Sequence, residues 1–419
     1  MINEFKAGLS RRSFMRTLGA ASVAATSLPS FAAFQQTRAA DAAMTGGGER
    51  TPRPADAVVL GGNENPLGPS APALEAMAAT GALGGRYNHQ LTNDTVKAFS
   101  ANFGLKPGYV NFFAGSSGPL DLALYLNIGP GKDLIVCEPA YEQGPNAATA
   151  MGAKVFRVPL TKTGAHDVKA MVAASTTPGA FYICNPNNPT GTTTPKQDIV
   201  WLVKNKPAGS VVIVDEAYHH FSNDESSIDL VAADQDVMVL RTFSKIYGMA
   251  GLRGGLFIAK PDLQAKLASI SSTQKSTYLS GSWTVSIMTA AAATASINDK
   301  TLIPARRKIN TDIRENVLAW MDKNGYVYYK GSQANFFMVD GKRPGREFSA
   351  LMQQDHVYVG RTWAAMPTYV RVTVGTQQEM DRFKLAFKKA YETAPLPASA
   401  LLELPFHEMP SELNRHLRI

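Results

Sequence analysis

The sequence predicts an α/β fold, with a mostly parallel seven-stranded sheet in a large domain and a smaller α+β domain after it. From Tyr109 onward, short runs of apolar and β-branched residues alternate with amphipathic stretches. After Pro261 the pattern changes to longer helical stretches with few strands. Apolar strands joined by helices are typical of a parallel sheet that is covered on both faces. Ligands of such sheets bind at the carboxyl ends of the strands, so we expect the functional residues in the loops there.

Seven apolar runs supply the strands of the large domain. Amphipathic stretches such as Pro119–Leu126 and Lys196–Asn205 separate most of them and predict helices. The predicted strands are Tyr109–Ala114, Leu134–Cys137, Val155–Val158, Ala180–Cys184, Val211–Asp215, Val237–Thr242 and Gly255–Ile258.

The remaining elements define the other parts of the chain. Helices are predicted at Leu263–Ile270, Ser282–Ile297, Ile303–Asn324, Glu347–Gln354 and Gln378–Glu392, and strands at Val327–Tyr329, Asn335–Val339 and Val370–Val374. We expect residues 58–82 to form an N-terminal segment that packs with the small domain. The large domain is then expected at 83–297, the small domain at 298–393 and a Pro-rich tail at 394–419.

The N-terminus has the pattern of a targeting segment rather than of a fold. Ser10-Arg11-Arg12-Ser13-Phe14-Met15-Arg16 precedes an Ala-rich apolar stretch that ends near Phe34. This arrangement resembles a twin-arginine export signal. The resemblance implies a signal peptide at 1–32, cleaved after Ala32, a linker at 33–57, a periplasmic enzyme, and membrane contact only during export. An uncleaved anchor stays open as an alternative, although the apolar run is short for a membrane span.

The composition narrows the function classes. The chain has 419 residues, of which 45% are hydrophobic and 18% charged, as in globular proteins. Of the net charge of +8, +3 lies in residues 1–32 and the rest is spread along the chain without a basic block interleaved with aromatics, so we expect no nucleic-acid partner. The two cysteines, Cys137 and Cys184, each end an apolar run and are expected to be buried free thiols.

Four loop clusters carry residues suited to chemistry. The first, Gly115-Ser116-Ser117-Gly118, lies between a strand and a helix, where backbone N–H groups can bind an anion. A plain Ser/Gly turn that caps the helix is the alternative. The second, Asn185-Pro186-Asn187-Asn188-Pro189-Thr190-Gly191, is a rigid polar turn after an apolar strand.

The third and fourth clusters bring charge to the same edge of the sheet. In Val214-Asp215-Glu216-Ala217-Tyr218, an acid ends a buried strand, which is costly unless it meets a positive partner or caps a helix. In the run from Arg241 to Gly255, Lys245 follows Ser244, and Arg253 lies in a Gly-rich stretch eight residues later. A surface lysine is the alternative for Lys245.

Together these motifs resemble fold type I, class I/II aminotransferases that depend on pyridoxal 5'-phosphate (PLP), and their histidinol-phosphate aminotransferase-like branch in particular. The resemblance runs from about Val58 to Glu392, with Asn-Pro-Thr-Gly, Asp-Glu-Ala-Tyr and Ser-Lys…Gly-Leu-Arg-Gly in the family's order. It implies transfer of an amino group between an amino acid, or an amino-acid-like compound, and a 2-oxo acid. It also implies a homodimer with shared active sites.

The resemblance further implies the residues that bind PLP. Lys245 would attach the cofactor covalently and move the substrate's α-proton. Asp215 would pair with the pyridine nitrogen, Asn188 and Tyr218 with the ring hydroxyl oxygen, and Tyr141 would stack on the ring. The phosphate would contact Ser116, Ser117, Thr242, Ser244, Arg253 and, from the partner subunit, Tyr87. Asn88 follows Tyr87, where the family usually has proline.

Three residues are expected to bind substrate. Arg371 matches the arginine that binds the substrate carboxylate, and Asn65 lies in the N-terminal loop that covers the substrate. Arg361 either binds a second acidic group or is a surface residue. Trp363 and Met366 follow it and predict a more apolar side-chain pocket.

The sequence also leads to expectations about metals, the amino donor and the type of reaction. No metal site is expected, because the adjacent His219 and His220 would point opposite ways on a strand. We expect a free amino acid, or an amino-acid unit of a periplasmic small molecule, rather than histidinol phosphate, as donor. A PLP-dependent decarboxylase of the threonine-phosphate decarboxylase type shares all the cofactor contacts, and an exported binding protein on a retired scaffold is a third possibility.

Overall fold

The computed structural model describes residues 53–266 and 285–394. The expected signal peptide, most of the expected linker and the tail after residue 394 lie outside the described residues. A compact unit begins at Val58. Within the described part of the chain, no helix combines the length and apolarity that a membrane crossing requires.

The elements of the described residues are numbered in chain order. The strands are β1 Val58–Leu60, β2 Val110–Phe113, β3 Asp133–Glu138, β4 Val155–Pro159, β5 Pro178–Cys184, β6 Val211–Asp215, β7 Val237–Thr242, β8 Gly255–Ala259, β9 Phe336–Asp340, β10 Val357–Val359 and β11 Tyr369–Thr373. The helices are α1 Ala71–Thr80, α2 His89–Phe103, α3 Ser117–Asn127, α4 Gln143–Ala150, α5 Val168–Ala173, α6 Lys196–Asn205, α7 Ile228–Ala232, α8 Ile287–Asn298, α9 Leu302–Lys323, α10 Gly345–Gln353 and α11 Gln377–Glu392.

A seven-stranded sheet forms the centre of the larger core. Its order is β2-β8-β7-β6-β5-β3-β4, and its neighbours are parallel except that β8 runs antiparallel to both β2 and β7. Every residue of β5, β6, β7 and β8 is buried, which explains why these strands are continuous apolar runs. The predicted α/β fold with a mostly parallel seven-stranded sheet is confirmed. Cys137 and Cys184 are free and buried.

An Ala-rich helix closes the core beside this sheet. Helix α8 buries Ala290, Ala292 and Ala293 and packs against α1 and α2. Small side chains allow this close approach, and the Thr95 hydroxyl donates to the Ala290 carbonyl oxygen at 3.0 Å across it. The Ala-rich run is therefore part of a packed helix, as its sequence predicts.

A second core lies between α9, α10, α11 and two small sheets. Strand β1 pairs in parallel with β10, and β9 pairs antiparallel with β11. Val58 and Leu60 belong to this second core, whereas Ala73 of α1 belongs to the larger one. The segment 58–82, expected to pack with the small domain, is thus divided between the two cores.

Some elements differ from the sequence-based expectation. The expected strand Val327–Tyr329 is reduced to one isolated bridge between Tyr328 and Val339. Helix α2 was not predicted, because its buried face consists of Thr92, Thr95 and Phe99 rather than an apolar stripe. Its ends carry the expected signals, since Asn88 caps the first turn and Gly104 ends the helix at φ 62°.

Candidate active site

The loops after the central strands bring the predicted cofactor residues together. Asp215 ends β6, Asn188 follows β5 and Lys245 follows β7. Because β5, β6 and β7 are adjacent and parallel, their carboxyl ends meet at one edge of the sheet. Residues 61–65 also reach this edge and contact Lys245, Tyr218 and Arg371.

Lys245 is half-buried, in surroundings that suit a nucleophilic amine. Its Nζ donates to the Gly62 carbonyl oxygen at 3.3 Å and lies 5.6 Å from the centre of the Tyr218 ring. Burial lowers the pKa of Lys245 to about 8, helped by Arg371 and Arg253 and opposed by Glu64 and Asp215. A larger fraction of the amine is therefore neutral and nucleophilic near pH 7 than in an ordinary lysine.

Asp215 is a buried carboxylate with neutral hydrogen-bond donors. It accepts from the Tyr182 hydroxyl at 3.0 Å and from the Ala217 backbone N–H at 3.1 Å. Burial raises the pKa of Asp215 to about 6, although these two hydrogen bonds and Lys245 limit the rise. A buried acid of this kind is stabilised by a cation close to it. A protonated pyridine nitrogen would meet that requirement, so the donor set fits PLP.

The turn between β2 and α3 forms, together with Arg253, a surface that fits a phosphate group. Gly115 has φ +94°, and a Cβ there would lie 2.4 Å from Arg253 Nη2, so only glycine leaves room for this guanidinium. Arg253 Nη1 donates to Ser244 Oγ at 3.3 Å, and the Thr242 hydroxyl donates to the same oxygen at 3.0 Å.

The N-terminus of α3 faces the same surface. Ser116 is its N-cap residue, and the Ser116 side chain makes no capping hydrogen bond. The structure thus brings five predicted phosphate ligands to one site, where helix N–H groups, hydroxyls and a guanidinium can bind an anion. They are Ser116, Ser117, Thr242, Ser244 and Arg253.

Tyr141 lies beside this surface. Its hydroxyl donates to Gln143 Oε1 at 3.0 Å, and Gln143 Nε2 donates to the Ser117 carbonyl oxygen at 2.8 Å. Burial raises the pKa of Tyr141, and the charge of Asp215 raises it further. Tyr141 is therefore near both Asp215 and the N-terminus of α3, where its ring could cover a bound cofactor.

Arg371 is a buried cation on β11, with 6% of its surface exposed. It donates to Asn188 Oδ1 and to the Gly61 carbonyl oxygen, each at 2.7 Å. Within the described residues its Nε has no hydrogen-bond partner. Burial lowers the pKa of Arg371 to about 10, so it stays charged at neutral pH. A buried charge with an unused donor is well suited to bind an anion such as a carboxylate.

The N-terminal loop contacts the site through several residues, including Asn63 and Asn65. Asn65, expected to bind substrate, joins the loop to the residue after Lys245: its Nδ2 donates to the Ile246 carbonyl oxygen at 3.0 Å, and its Oδ1 accepts from the Leu67 N–H at 3.0 Å. Asn63 Nδ2 donates to the Tyr218 hydroxyl at 3.0 Å. The Asn63 contact was missed, because two asparagines close together in one loop give no signal of which one contacts Tyr218.

Arg361 is an ion-pair partner rather than an isolated surface charge. Its Nη1 lies 2.6 Å from Glu142 Oε2, and its guanidinium carbon lies 5.0 Å from the centre of the Trp363 ring. The Trp363 indole N–H donates to the Ala140 carbonyl oxygen at 3.0 Å. Glu142 is a second residue that the sequence analysis missed, since its partner lies more than 200 positions along the chain.

A buried polar network supports the ends of β6 and β7. Arg241 and Glu216 form an ion pair of 2.6 Å with 3% and 2% of their side chains exposed. Arg241 Nη1 also lies 2.7 Å from His220 Nε2. His219 and His220 occupy a 3₁₀ turn, His219–Phe221, so the expectation that they alternate on a strand is wrong.

Two further observations concern ligands and partners. Among the described residues there is no group of three or more His, Cys, Asp or Glu side chains that could hold a metal ion. Tyr87, expected to reach a partner's phosphate site, has 89% of its surface exposed and precedes the N-cap of α2.

Comparisons with known proteins all indicate the same family. The profile of "Aminotransferase class I and II" matches residues 55–386. Histidinol-phosphate aminotransferase from Moorella thermoacetica is 31% identical over 340 residues, which cover 80% of this chain and 85% of that protein. Aromatic amino acid aminotransferase from Streptomyces avermitilis is 33% identical over 328 residues, covering 77% and 88%.

A solved structure has the same fold. The crystal structure of histidinol-phosphate aminotransferase from Sinorhizobium meliloti in complex with pyridoxal-5'-phosphate superimposes with a TM-score of 0.71 at 22% identity, covering 80% of this chain and 91% of that one.

Proposed function

The chain belongs to the class I and II aminotransferases and is a PLP-dependent aminotransferase, and on this premise we propose its residue roles, its donor class, its assembly and its export. The matched relatives are aminotransferases, so neither a decarboxylase nor a non-enzymatic binding protein is favoured. Its substrates are an amino donor and a keto-acid acceptor. The site geometry supports the assignments that follow.

When bound, PLP supplies an aldehyde that bonds to amines and a ring that accepts electrons from the substrate's α-carbon. Asp215 holds the proton on the pyridine nitrogen, and its raised pKa of about 6 without a cationic partner supports this role. Asn188 and Tyr218 donate to the ring hydroxyl oxygen, and Tyr141 covers the ring face. Ser116, Ser117, Thr242, Ser244 and Arg253 bind the phosphate.

Lys245 carries out the proton transfer. Its amine would hold the cofactor at the aldehyde carbon and, once the substrate amine has taken that place, would accept the proton from the substrate's Cα and deliver it to the cofactor carbon bonded to the substrate nitrogen. The pKa of about 8 keeps this amine close to the working range of a general base at neutral pH.

Arg371 defines the donor as an amino acid. Its two 2.7 Å bonds fix the guanidinium, and Nη1 and Nη2 each carry a second N–H that can bind the substrate carboxylate. Histidinol phosphate has no carboxylate, so we expect a free amino acid, or an amino-acid unit of a small molecule, to be the better donor. The relatives named above include a histidinol-phosphate aminotransferase and an aromatic amino acid aminotransferase. The buried Arg371 is the observation that favours an amino acid as donor.

A donor screen tests this function. The cofactor's absorbance change in the first half-reaction is followed with a panel of amino acids and with histidinol phosphate. The proposal expects amino acids to be converted to their 2-oxo acids with the higher kcat/KM. If histidinol phosphate is the best substrate of the panel, the assignment of an amino-acid donor is wrong.

Export through the twin-arginine route is supported by Arg11 and Arg12 in the pattern described above. That route carries folded proteins, which suits an enzyme that binds its cofactor before crossing. Arg11→Lys with Arg12→Lys is expected to leave active enzyme in the cytoplasm. Full periplasmic activity of this double variant would contradict the export proposal and leave the catalytic one untouched.

The assembly proposed is a homodimer in which Tyr87 completes the partner's phosphate site. The support is that Tyr87 is an aromatic side chain with 89% of its surface exposed, beside the loop that precedes α2. Large exposed aromatic residues are often buried in interfaces between chains.

A further inference from the structure

An ion pair lies beside the proposed carboxylate site. Arg361 Nη1 and Glu142 Oε2 are 2.6 Å apart, and their side chains are 36% and 40% exposed, so solvent and small molecules can reach both. Glu142 directly follows Tyr141, which covers the cofactor in the proposed function. The pair therefore joins the loop after β3 to the segment between β10 and β11, and β11 carries Arg371.

The Glu142–Arg361 pair and the carboxylate site lie against the same residue, Trp363, and together these residues form what we call the wall of the site. The guanidinium carbons of Arg361 and Arg371 lie 5.0 Å and 5.4 Å from the centre of the same Trp363 ring. The Arg371 backbone N–H donates to the Arg361 carbonyl oxygen at 3.3 Å. Trp363 is 4% exposed and is fixed by its bond to the Ala140 carbonyl oxygen. A substrate held by Arg371 would therefore meet Trp363 and the Glu142–Arg361 pair.

The charge of this wall opposes an anionic side chain. A lone Arg361 would attract a phosphate or a second carboxylate, but Glu142 already occupies it at ion-pair distance. An incoming anion would have to displace Glu142 or remain close to its negative charge, and like charges in contact are unfavourable.

We propose that Glu142 is a specificity-determining residue that neutralises Arg361, so that the site selects amino acids with uncharged side chains and rejects acidic and phosphorylated ones. This inference rests on the proposed function and deepens it by naming the substrate class.

The acceptor is expected to be subject to the same side-chain selection as the donor. Donor and acceptor of a transamination bind in turn at one site, because each must reach the same cofactor. A site that rejects acidic side chains rejects them in both half-reactions. We therefore expect glutamate and 2-oxoglutarate to be poor substrates and uncharged 2-oxo acids such as pyruvate to be good acceptors.

The test compares three variants with the wild type. The measured quantity is the ratio of kcat/KM for glutamate, aspartate and histidinol phosphate to kcat/KM for phenylalanine and leucine. Glu142→Gln removes the negative charge and keeps the shape. Arg361→Gln removes the positive charge. Glu138→Gln is the matched control, because Glu138 is 39% exposed and pairs with Arg157 at 3.5 Å on the neighbouring strand.

Opposite shifts are expected for the two partners. Glu142→Gln frees Arg361 and is expected to raise the ratio about tenfold, the size of one like-charge contact near a protein surface. Arg361→Gln leaves Glu142 uncompensated and lowers the ratio. The double variant returns it close to the wild-type value, and Glu138→Gln leaves it unchanged.

Several outcomes would overturn the inference. A wild type that prefers glutamate or aspartate over phenylalanine and leucine contradicts it, as does a Glu142→Gln ratio that equals that of Glu138→Gln. If Glu142→Gln does not fold, a ratio that stays unchanged in Arg361→Gln contradicts it equally. A wild type without activity on any donor would instead contradict the proposed function.

Discussion

Burial and two nearby arginines, Arg371 and Arg253, lower the pKa of Lys245. This lower pKa affects the binding of the cofactor as well as catalysis. Only the neutral amine attacks an aldehyde, and a pKa of about 8 makes about a tenth of Lys245 neutral at pH 7. An ordinary lysine, with a pKa near 10.4, would be almost entirely charged there.

The pH dependence of PLP capture follows from this pKa. The rate of covalent PLP uptake by cofactor-free protein is expected to rise about tenfold per pH unit up to roughly pH 8 and to level off above it. Stopped-flow absorbance measures the rate, and the reaction of PLP with a free lysine derivative corrects for the cofactor's own ionisation. A rate that keeps rising beyond pH 9.5 would show that Lys245 has an ordinary pKa.

Loss of Arg371 should lower kcat/KM for donors that have a carboxylate more than for donors that lack one. Arg371→Ala removes a charge-assisted contact and is expected to cost about 2–4 kcal/mol of transition-state binding for amino acids, or roughly thirty- to a thousand-fold in kcat/KM.

The control for Arg371→Ala is a donor amine without a carboxylate. Its kcat/KM should change much less than that of the corresponding amino acid. Equal losses for both donors would mean that Arg371 acts only by holding Asn188 and Gly61.

Among the residues, those of the candidate site that lie in short sequence motifs could be predicted. Lys245, Asp215, Asn188 and Arg253 lie in runs whose glycines, prolines and hydroxyls mark a functional loop, and the structure brings them to one edge of the sheet. Glu142 and its contact with Arg361 lay beyond prediction, because nothing near Glu142 in the chain indicates a partner on the other side of the site.

Among the elements, the ends of β6 and β7 are joined by the buried Glu216–Arg241 pair. Burial alone would raise the pKa of Glu216, but Arg241, His219 and bonds from Ser227 and Ser226 overcome it and lower the pKa. Asp215 and the Lys245 loop continue from these same strand ends, so the pair holds both reactive groups in position.

Removing one charge of this pair should destabilise the fold. Glu216→Gln leaves Arg241 buried without its carboxylate and is expected to lower the free energy of unfolding by about 3–5 kcal/mol. Denaturant unfolding of the holoenzyme measures the change. The control is Asp312→Asn, which breaks the exposed Lys308–Asp312 pair and should have little effect. A Glu216→Gln variant as stable as Asp312→Asn would contradict the positioning role.

The elements that could be predicted are those with a simple apolar pattern. Strands β5 to β8 are buried on both faces, so they are apolar runs up to the polar residues at the carboxyl ends of β6 and β7. Helix α2 escaped prediction because threonine hydroxyls, bonded back to the helix carbonyls and to Ala290, occupy its buried face. Strand β10 has three residues and exists by pairing with β1, about 300 positions earlier, a contact without local signal.

For the whole molecule, the active site is expected to need two chains. Mixing Tyr87→Ala subunits with Lys245→Ala subunits forms hybrid dimers. If Tyr87 serves the partner's site, each hybrid has one intact site, and the mixture should recover about a quarter of wild-type activity. If Tyr87 acts within its own chain or not at all, mixing restores nothing beyond the sum of the two separate variants.

The overall architecture was predictable only in part. The alternation of strands and helices indicates a mostly parallel sheet, but the strand order, and the reversal of β8 between β2 and β7, depend on long-range pairing. Residues 58–82 show the same limit, since β1 joins one core and α1 the other. Nothing in the sequence of that segment indicates which of the two cores β1 and α1 pack into.

The central claim is that Lys245 binds PLP covalently in an enzyme that transaminates amino acids. The most direct measurement is a single-turnover reaction of purified holoenzyme with an amino acid, followed by absorbance and by detection of the 2-oxo acid, for wild type and Lys245→Ala. We predict a yellow wild type that forms one 2-oxo acid per site, and a folded Lys245→Ala protein that lacks the covalent absorbance and forms none. A folded wild type that takes up no PLP, or a Lys245→Ala variant that retains covalent PLP and full turnover, would contradict the account.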